Sequence, residues 1–338
     1  MSNKKVAILG DGGWGTALAL VLARKHIPSV MWGPFPEYLA EISHLRENKR
    51  YLPGFELPKD ITFHDEISDV VQSAEVVLSA VPTAYLRATA AKIPNDVWAG
   101  KIIVSCTKGI EHETLYRPSQ IWEERVSPDS VVVLSGPSHA EEVAKNIPTC
   151  VVVGGKNKEL AKHIQTLFME DRFRVYTSHD AVGVELGGAL KNVIAVAAGI
   201  CDGLGFGSNT KAALLSRGLQ EITRLGCAMK ASGETFFGLS GMGDLVTTCF
   251  SSFGRNRSVG ERIGKGEKLP DIIASMSMVA EGVYTTQSAY HLSLKHEIDM
   301  PITQEVYNVL HAEKDPLQSI SDLMLRGLKD EMPYNIGK

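Results

Sequence analysis

The sequence has little of what marks disulfide-rich, metal-binding or nucleic-acid-binding proteins. Its five cysteines are scattered, odd in number and never spaced Cys-x-x-Cys, so we expect reduced thiols and a cytoplasmic location. Its ten histidines show no metal-ligand spacing, and we predict no metal site. Lysine and arginine total 35 against 39 aspartate and glutamate residues. This balance does not favour nucleic acid as a partner.

Long apolar runs are also missing. The longest lies around residues 193–198, far short of the ~20 residues that a membrane-spanning helix needs. The N-terminal residues contain no signal-peptide apolar region. We therefore expect no membrane insertion. The sequence also lacks a Gly-x-Ser-x-Gly elbow and a Walker lysine, which argues against the hydrolases and phosphoryl-transfer enzymes that carry them.

Short apolar runs that do not alternate with polar residues recur in the first half of the chain. Helical spacings separate them, and this alternation predicts a parallel sheet covered on both faces. From residue 182 onward the periodicity is mostly helical. The sequence predicts a Rossmann-type α/β domain over residues 1–180 and a mostly α-helical domain over residues 181–338. The predicted strands are Val6–Leu9, Ser29–Trp32, Val76–Val81, Ile102–Ser105, Val131–Leu134, Cys150–Val153 and Phe173–Tyr176.

A glycine-rich loop follows the first predicted strand and opens a helix. It has the spacing Gly10-x-Gly12-x-x-Gly15. In such loops the first glycine permits a tight turn, the second lets a pyrophosphate approach the backbone, and the third allows close packing of helix on strand. The helix N-terminus offers free N–H groups to the phosphates. We predict a dinucleotide site here, with an unliganded glycine turn as the alternative.

The end of the second predicted strand does not identify the dinucleotide. An acidic residue there would indicate NAD, because it binds the ribose diol, and an arginine would indicate NADP. The sequence instead continues with Gly33 and Pro34. NAD and NADP therefore both remain open.

Lys191 lies in the middle of a nearly apolar helical segment, residues 182–198. Gly187 and Gly188 precede it by one turn, and we interpret these small residues as a strip that lets a ligand approach the ammonium group. Burial lowers a lysine pKa, which suits acid–base chemistry. The alternative is a lysine that reaches solvent or pairs with Glu185 or another carboxylate.

Two further polar segments belong to the helical half. Asp244 could orient Lys191 or a substrate hydroxyl, and its alternative, favoured by the residues alone, is to cap the next helix. We interpret Gly254, Arg255 and Asn256 as a glycine loop with the donors that phosphate or carboxylate requires. Arg257, Arg262, Lys265 and Lys268 follow, so the alternative is a solvated basic face.

Candidate residues also follow two predicted strands of the sheet, where open α/β sheets bind ligands. Lys108 follows the strand at 102–105. Gly136, Ser138 and Ala140 follow the strand at 131–134. His139 lies among them and is a weaker candidate than Lys191 for a catalytic base.

Together these segments resemble the bacterial NAD(P)-dependent glycerol-3-phosphate dehydrogenases over essentially the whole chain. The most specific block surrounds Lys191. The resembling motifs are GDGGWGTALA, Cys106-Thr107-Lys108-Gly109, Ser135-Gly136-Pro137-Ser138, GVELGGALKNVIAVAAGICDGLGFGSNTKAAL, GLSGMGDLVTTC and Arg255-Asn256-Arg257.

The resemblance implies reversible, NAD(P)H-dependent reduction of dihydroxyacetone phosphate to sn-glycerol 3-phosphate, which feeds glycerophospholipid synthesis. It also implies a helical domain like that of 6-phosphogluconate dehydrogenase and a homodimer. By resemblance Lys191 is the acid–base residue. The implied substrate residues are Lys108, Gly136, Ser138, Lys191, Asp244, Gly254, Arg255 and Asn256. The implied cofactor residues are Gly10, Gly12, Gly13, Trp14, Gly15, Tyr51, Lys108, Ala140, Arg255, Val279 and Glu281.

Three positions depart from the family pattern. Pro34 stands where many relatives have a basic residue or histidine, which puts a strong NADPH preference in doubt. Gly254 and Gly13 each replace a common serine, so Gly254 can offer only its backbone N–H.

Two other functions remain open from the sequence. One is a related two-domain dehydrogenase for a 3-hydroxyacyl, hydroxyacid or sugar-acid substrate, with His139 as base. The other is a catalytically silent NAD(P)-binding regulator, which would bind cofactor without oxidising it.

Overall fold

The structure is a computed structural model that describes residues 5–251, 253–276, 278–328 and 330–331. Its central feature is an eight-stranded sheet in the first half of the chain, with strand order β10-β9-β8-β7-β6-β1-β2-β5. A separate hairpin joins β3 to β4. The strands are β1 (Val6–Leu9), β2 (Ser29–Trp32), β3 (Glu47–Asn48), β4 (Leu52–Glu56), β5 (Ile61–Phe63), β6 (Val76–Ser79), β7 (Ile102–Ser105), β8 (Val131–Ser135), β9 (Thr149–Gly154) and β10 (Phe173–Ser178).

Helices cover both faces of this sheet, because the central strands are apolar on both sides. The strands β1, β2, β6 and β8 are buried along their full length. The predicted Rossmann-type fold class is confirmed. The helices of this half are α1 (Gly13–Arg24), α2 (Pro36–Leu45), α3 (Ile67–Gln72), α4 (Thr83–Ala91), α5 (Pro118–Glu123), α6 (Ala140–Ala144) and α7 (Lys158–Phe168).

The prediction of a wholly parallel sheet is wrong at one edge. Strand β9 pairs antiparallel with β8, and β10 runs parallel to β9. An apolar run of this kind indicates burial but carries no information on strand direction. The short connection from β8 to β9 contains only the five-residue helix α6, whereas a parallel return needs a longer crossover.

The second half of the described chain is helical, as predicted. Its helices are α8 (Ala181–Gly203), α9 (Ser208–Ala228), α10 (Asp244–Phe250), α11 (Arg255–Gly264), α12 (Leu269–Ala274), α13 (Glu281–Lys295), α14 (Pro301–His311) and α15 (Pro316–Met324). Helix α8 lies at the centre and packs on α9, α10, α11 and α13 as well as on strands β8 and β9. The site is therefore built around α8.

By length and hydropathy, α8 alone among the described helices passes the test for a membrane-spanning segment. Its apolar window is fully buried inside the protein, which is also what the central helix of a folded core shows.

The segment from Arg255, which the sequence predicts to be a loop, forms helix α11. Its sequence is too polar to show an apolar stripe. The helix forms because glycines let it touch α8 directly. A Cβ atom on Gly260 would collide with the carbonyl of Val196, and one on Gly199 with the carbonyl of Arg257. This close packing brings the start of α11 beside Lys191.

Candidate functional site

The glycine loop has the geometry that the sequence predicts. Gly10 has φ +112°, and a Cβ there would lie 2.9 Å from the carbonyl oxygen of Ala80. A Cβ on Gly15 would collide with the carbonyl oxygen of Gly10. A Cβ on Gly12 would meet nothing within 4 Å, so the space in front of the α1 N-terminus is open. This cradle fits a dinucleotide pyrophosphate.

Gly13, at the start of α1, lies beside two other predicted cofactor residues, Tyr51 and Ala140. A Cβ on Gly13 would be 2.7 Å from the carbonyl oxygen of Tyr51 and 3.6 Å from Cβ of Ala140. The close approach of the Tyr51 backbone leaves no room for a side chain at Gly13. Trp14 follows and packs against the core of the sheet.

Lys191 is 5% exposed and Asp244 is 1% exposed, and their side chains form an ion pair. The ammonium group of Lys191 also donates to Oγ1 of Thr248 at 2.6 Å. The second carboxylate oxygen of Asp244 is 2.8 Å from Nζ of Lys108. Two lysines thus share one carboxylate, which leaves a net positive charge in the cleft between the sheet and the helical half.

Each member of this cluster is positioned by a different element. Lys191 comes from the middle of α8. Asp244 is the first residue of α10, directly after a π-helical turn at Leu239–Gly243. Lys108 follows β7 and also donates to the carbonyl oxygen of Gly136 at 3.1 Å, so it links the ends of β7 and β8.

Burial lowers the pKa of Lys191 to about 8. The carboxylate of Asp244 opposes this shift, and the charge of Lys108 adds to it. A buried amine with a pKa near neutrality can both donate and accept a proton at physiological pH.

The structure decides between the alternatives for these residues: Lys191 does pair with another carboxylate, that of Asp244. Glu185 does not pair with Lys191, because its carboxylate accepts from Arg117 at 2.6 Å and from the side chain of Ser119. Asp244 does not cap α10, whose N-cap is Gly243 and which has no side-chain cap.

The interpretation of Gly187 and Gly188 as a path for ligand is also wrong. A Cβ on Gly187 would lie 2.5 Å from the carbonyl oxygen of Ser240, and one on Gly188 would lie 2.5 Å from Oγ of Ser135. These glycines admit protein atoms instead. They allow the π-helical turn and the end of β8 to pack on α8, which brings Asp244 within reach of Lys191.

An amide network connects α8 to α11 and α13. Nδ2 of Asn256 donates to Oδ1 of Asn192 at 2.9 Å, and Oδ1 of Asn256 accepts from the backbone N–H of Gly282. Nδ2 of Asn192 donates to the carbonyl oxygen of Lys108 at 3.2 Å. Asn256 thus follows Arg255 directly in α11 and is hydrogen-bonded to Asn192, the neighbour of Lys191 in the sequence.

Arg255 begins α11, and Gly254 is its N-cap. Nη1 of Arg255 donates to the carbonyl oxygen of Val279 at 2.9 Å, so two predicted cofactor residues are in contact. Three of the cations that follow Arg255 pair with carboxylates: Arg257 with Asp202, Arg262 with Glu267 and Lys265 with Glu261. Arg255 is exposed and contacts a backbone carbonyl oxygen instead of a carboxylate, so its charge can bind an anion.

Glu281 connects the helical half to the sheet. Its Oε1 accepts from the backbone N–H of Thr83 at 2.8 Å. Gly109 makes room for this contact, because a Cβ there would lie 2.7 Å from the Glu281 carboxylate. Burial raises the pKa of Glu281.

Ser138 and His139 lie beyond the end of β8. Oγ of Ser138 donates to the carbonyl oxygen of Gly136 at 2.8 Å. Burial, together with the charge of Lys191, lowers the pKa of His139. Its Nε2 is buried and has no hydrogen-bond partner among the described residues. His139 is therefore near the cluster, but it lacks the carboxylate partner that Lys191 has.

Thr248 and Thr83 are site residues that the sequence analysis missed. Thr248 lies one turn after Asp244 on the same helix, so its i,i+4 spacing was the available signal. Thr83 participates through its backbone N–H, which no side-chain pattern reveals. Across the described chain, no cluster of His, Cys, Asp or Glu could hold a metal ion.

Comparison with protein families gives two matches that together span most of the chain. Residues 5–161 match the model described as NAD-dependent glycerol-3-phosphate dehydrogenase N-terminus, and residues 180–321 match the corresponding C-terminus model.

Individual relatives agree. The chain is 49% identical over 331 residues to a glycerol-3-phosphate dehydrogenase, NAD(P)+, of Pelotomaculum thermopropionicum, covering 97% of this chain and 95% of that protein. It is 48% identical over 332 residues to the protein of that name in Geobacillus kaustophilus, covering 97% and 96%. A crystal structure of glycerol-3-phosphate dehydrogenase from Coxiella burnetii superposes with a TM-score of 0.90 at 36% identity, covering 96% of this chain and 99% of that one.

Proposed function

The chain belongs to the NAD-dependent glycerol-3-phosphate dehydrogenase family, and on this premise we propose that it reversibly reduces dihydroxyacetone phosphate to sn-glycerol 3-phosphate with NAD(P)H. The family membership inferred from the sequence motifs is confirmed. The observation that best supports the reaction is the pairing of buried Lys191 with Asp244 in a positively charged cleft.

The anionic substrate is held by cations and amides at the cleft. Arg255, Asn256 and the backbone of Gly254 bind the phosphate at the start of α11, where the helix dipole adds to the attraction. Lys108, Gly136 and Ser138 line the opposite side. Together they fix the substrate carbonyl beside Lys191.

The residues Gly10, Gly12, Gly13 and Gly15 with Trp14 hold the dinucleotide at the start of α1, and Tyr51, Ala140, Val279 and Glu281 border it. When bound, the nicotinamide supplies the hydride for reduction or accepts it in oxidation. Side chains of the protein stabilise the charge that develops on the substrate oxygen and transfer the proton.

Lys191 carries the proton. In reduction its ammonium group stabilises the negative charge that develops on the substrate oxygen and then protonates that oxygen. In oxidation the neutral amine removes the hydroxyl proton. Asp244 and Thr248 keep the Lys191 side chain in one position.

The direct test is a steady-state assay of dihydroxyacetone phosphate reduction with NADH and with NADPH. We expect substrate-dependent oxidation of the reduced cofactor, and little or none with 3-hydroxyacyl or hydroxyacid substrates. Absence of activity with dihydroxyacetone phosphate alongside turnover of one of the others would contradict the proposal. Cofactor binding without any turnover would instead indicate a regulator.

The two directions of the reaction should depend on pH in opposite ways. Reduction needs protonated Lys191, so its kcat/KM should be constant below the Lys191 pKa of about 8 and fall above it. Oxidation needs the neutral amine, so its kcat/KM should rise with pH and level off above the same pKa. Initial rates measured in both directions on one preparation check this. Profiles that rise or fall together would exclude Lys191 as the shared acid and base.

Replacing Arg255 with alanine should weaken substrate binding more than catalysis. The loss of a charged hydrogen bond to phosphate costs about 1.5–3 kcal/mol, so KM for dihydroxyacetone phosphate should rise about 10- to 100-fold. Arg262→Ala is the matched control, since Arg262 lies on the same helix but pairs with Glu267. An unchanged KM in Arg255→Ala would remove Arg255 from the phosphate site.

The finer features of the family resemblance are also part of the proposal. Residues 1–180 carry the cofactor and residues 181–338 the catalytic lysine. The protein acts in the cytoplasm as a homodimer without membrane insertion, and its product supplies glycerophospholipid synthesis. Sedimentation equilibrium measures the oligomeric state.

A further inference from the structure

Asp11 lies within the glycine loop, where strands β1 and β2 end side by side. The backbone N–H of Gly10 donates to the carbonyl oxygen of Trp32 at 2.9 Å, so the two strands are still paired one residue before Asp11. Its own carbonyl oxygen accepts from Nδ2 of Asn48 at 2.7 Å. The position of the Asp11 backbone is therefore fixed at the edge where the dinucleotide binds.

The carboxylate of Asp11 occupies the space beside Gly33. A Cβ atom on Gly33 would collide with the carboxyl group and lie 2.9 Å from Cβ of Asp11. Gly33 is the first residue after β2, the place from which dinucleotide-binding folds usually supply the acid for the adenosine ribose. The acid that the sequence lacks at Gly33 and Pro34 is thus supplied by the neighbouring loop.

The Asp11 carboxylate needs a hydrogen-bond donor. The residue is 5% exposed, and its Oδ2 is buried with no hydrogen-bond partner among the described residues. Burial raises the pKa of Asp11 to about 6, opposed by its own backbone N–H and by the charge of Arg50. The group is therefore mostly ionised at neutral pH. Buried acceptors are almost always satisfied, and a ribose diol carries two hydroxyl donors.

We propose that Asp11 recognises the adenosine ribose and makes the enzyme prefer NADH to NADPH. The carboxylate accepts hydrogen bonds from the 2′- and 3′-hydroxyls of NADH. It repels the 2′-phosphate of NADPH, because two anions would meet in a poorly solvated site. This inference rests on the proposed binding of a dinucleotide at the glycine loop.

Arg50 is the group that would support the opposite preference. Its guanidinium lies over the ring of Tyr38 at 4.7 Å and near that of Tyr51 at 5.8 Å, and a 2′-phosphate attracts arginine. Arg50 is exposed, however, so solvent and salt screen its charge. Asp11 is buried and fixed, and its charge therefore dominates the choice.

The test is a calorimetric measurement of Kd for ADP-ribose and for 2′-phospho-ADP-ribose. These probes carry the discriminating ribose and lack the nicotinamide, so the readout is independent of turnover. The wild-type protein should bind ADP-ribose at least about tenfold more tightly, a difference of one well-placed charged contact. The ratio of the two Kd values is measured on the wild-type protein, so it does not depend on whether a variant folds. Equal affinities, or tighter binding of the 2′-phosphate, would overturn the proposal.

Variants of Asp11 test whether this residue sets the ratio of the two Kd values. Asp11→Asn keeps the shape and removes the charge, and it should lower the affinity for ADP-ribose while raising that for the 2′-phosphate, so that the ratio falls about tenfold. Asp11→Ala should do the same. Arg50→Ala is the control and should keep the preference for ADP-ribose. A ratio unchanged in both Asp11 variants would overturn the assignment even if the enzyme reduces dihydroxyacetone phosphate. Failure of both probes to bind, together with no activity, would overturn the proposed function as well.

Discussion

Replacing Lys191 with methionine should lower kcat for dihydroxyacetone phosphate reduction by about 10³-fold or more. Methionine fills a similar volume but can neither carry the positive charge nor transfer a proton. General acid catalysis contributes about 10²- to 10⁴-fold and oxyanion stabilisation about 10²- to 10³-fold, and Lys191 is proposed to supply both. Steady-state rates with saturating cofactor measure the effect.

Two further variants test whether the loss of kcat comes from the missing proton donor at position 191. Lys191→Arg keeps the charge but cannot release a proton near neutral pH, so it should recover little activity. Lys162→Met replaces an exposed lysine that pairs with Glu159 on α7 and should leave kcat unchanged. Near-normal turnover in a folded Lys191→Met protein would refute the assignment. A comparable loss in His139→Gln with activity retained in Lys191→Met would favour the histidine-based alternative.

Asp244→Asn should lower both stability and activity. Removing one partner of a buried ion pair costs about 3–5 kcal/mol, because the other charge remains buried. Without the carboxylate that opposes the effect of burial, the pKa of Lys191 should fall further below its value of about 8. Activity in the reductive direction should then decline at a lower pH than in the wild-type protein. Denaturant unfolding and pH–rate profiles check the two effects separately.

Asp202→Asn is the matched control for Asp244→Asn. Asp202 also joins two cations, Lys211 at 2.5 Å and Arg257 at 2.6 Å, but it is not part of the Lys191 cluster. Its substitution should lower the unfolding free energy and leave the pH profile in place. If Asp244→Asn likewise lowered the unfolding free energy but left the pH–rate profile unchanged, Asp244 would have a structural role and no influence on the Lys191 proton.

The parts of the fold that the sequence predicted depend on local periodicity. The apolar runs of β1 and β2, the glycines between β1 and α1, and the buried segment around Lys191 each carry their own signal. The direction of β9 was mispredicted because burial does not encode strand direction. Helix α11 was missed because its contact with α8 is made by glycines, which leave no apolar stripe.

The sequence identified the residues of the site better than it predicted the contacts between them. Lys191 and Asp244 are 53 positions apart, and the choice between Asp244 and Glu185 as partner depended on how α8 packs. Glu185 lies six residues before Lys191 on α8, and its carboxylate accepts from Arg117 instead. At the end of β2, where an acid would indicate NAD, the sequence has only Gly33 and Pro34. Only packing shows that Asp11 reaches the same place from the neighbouring loop.

The measurement that tests the central claim most directly is a single-turnover reaction. Enzyme in excess is mixed with NADH and then rapidly with dihydroxyacetone phosphate, and NADH absorbance is followed in wild type and Lys191→Met. This isolates the chemical step from product release. We predict equal NADH binding in the two proteins and a substrate-dependent decay that is at least about 10³-fold slower in the variant. Equal decay rates would show that Lys191 does not carry the proton of the reaction.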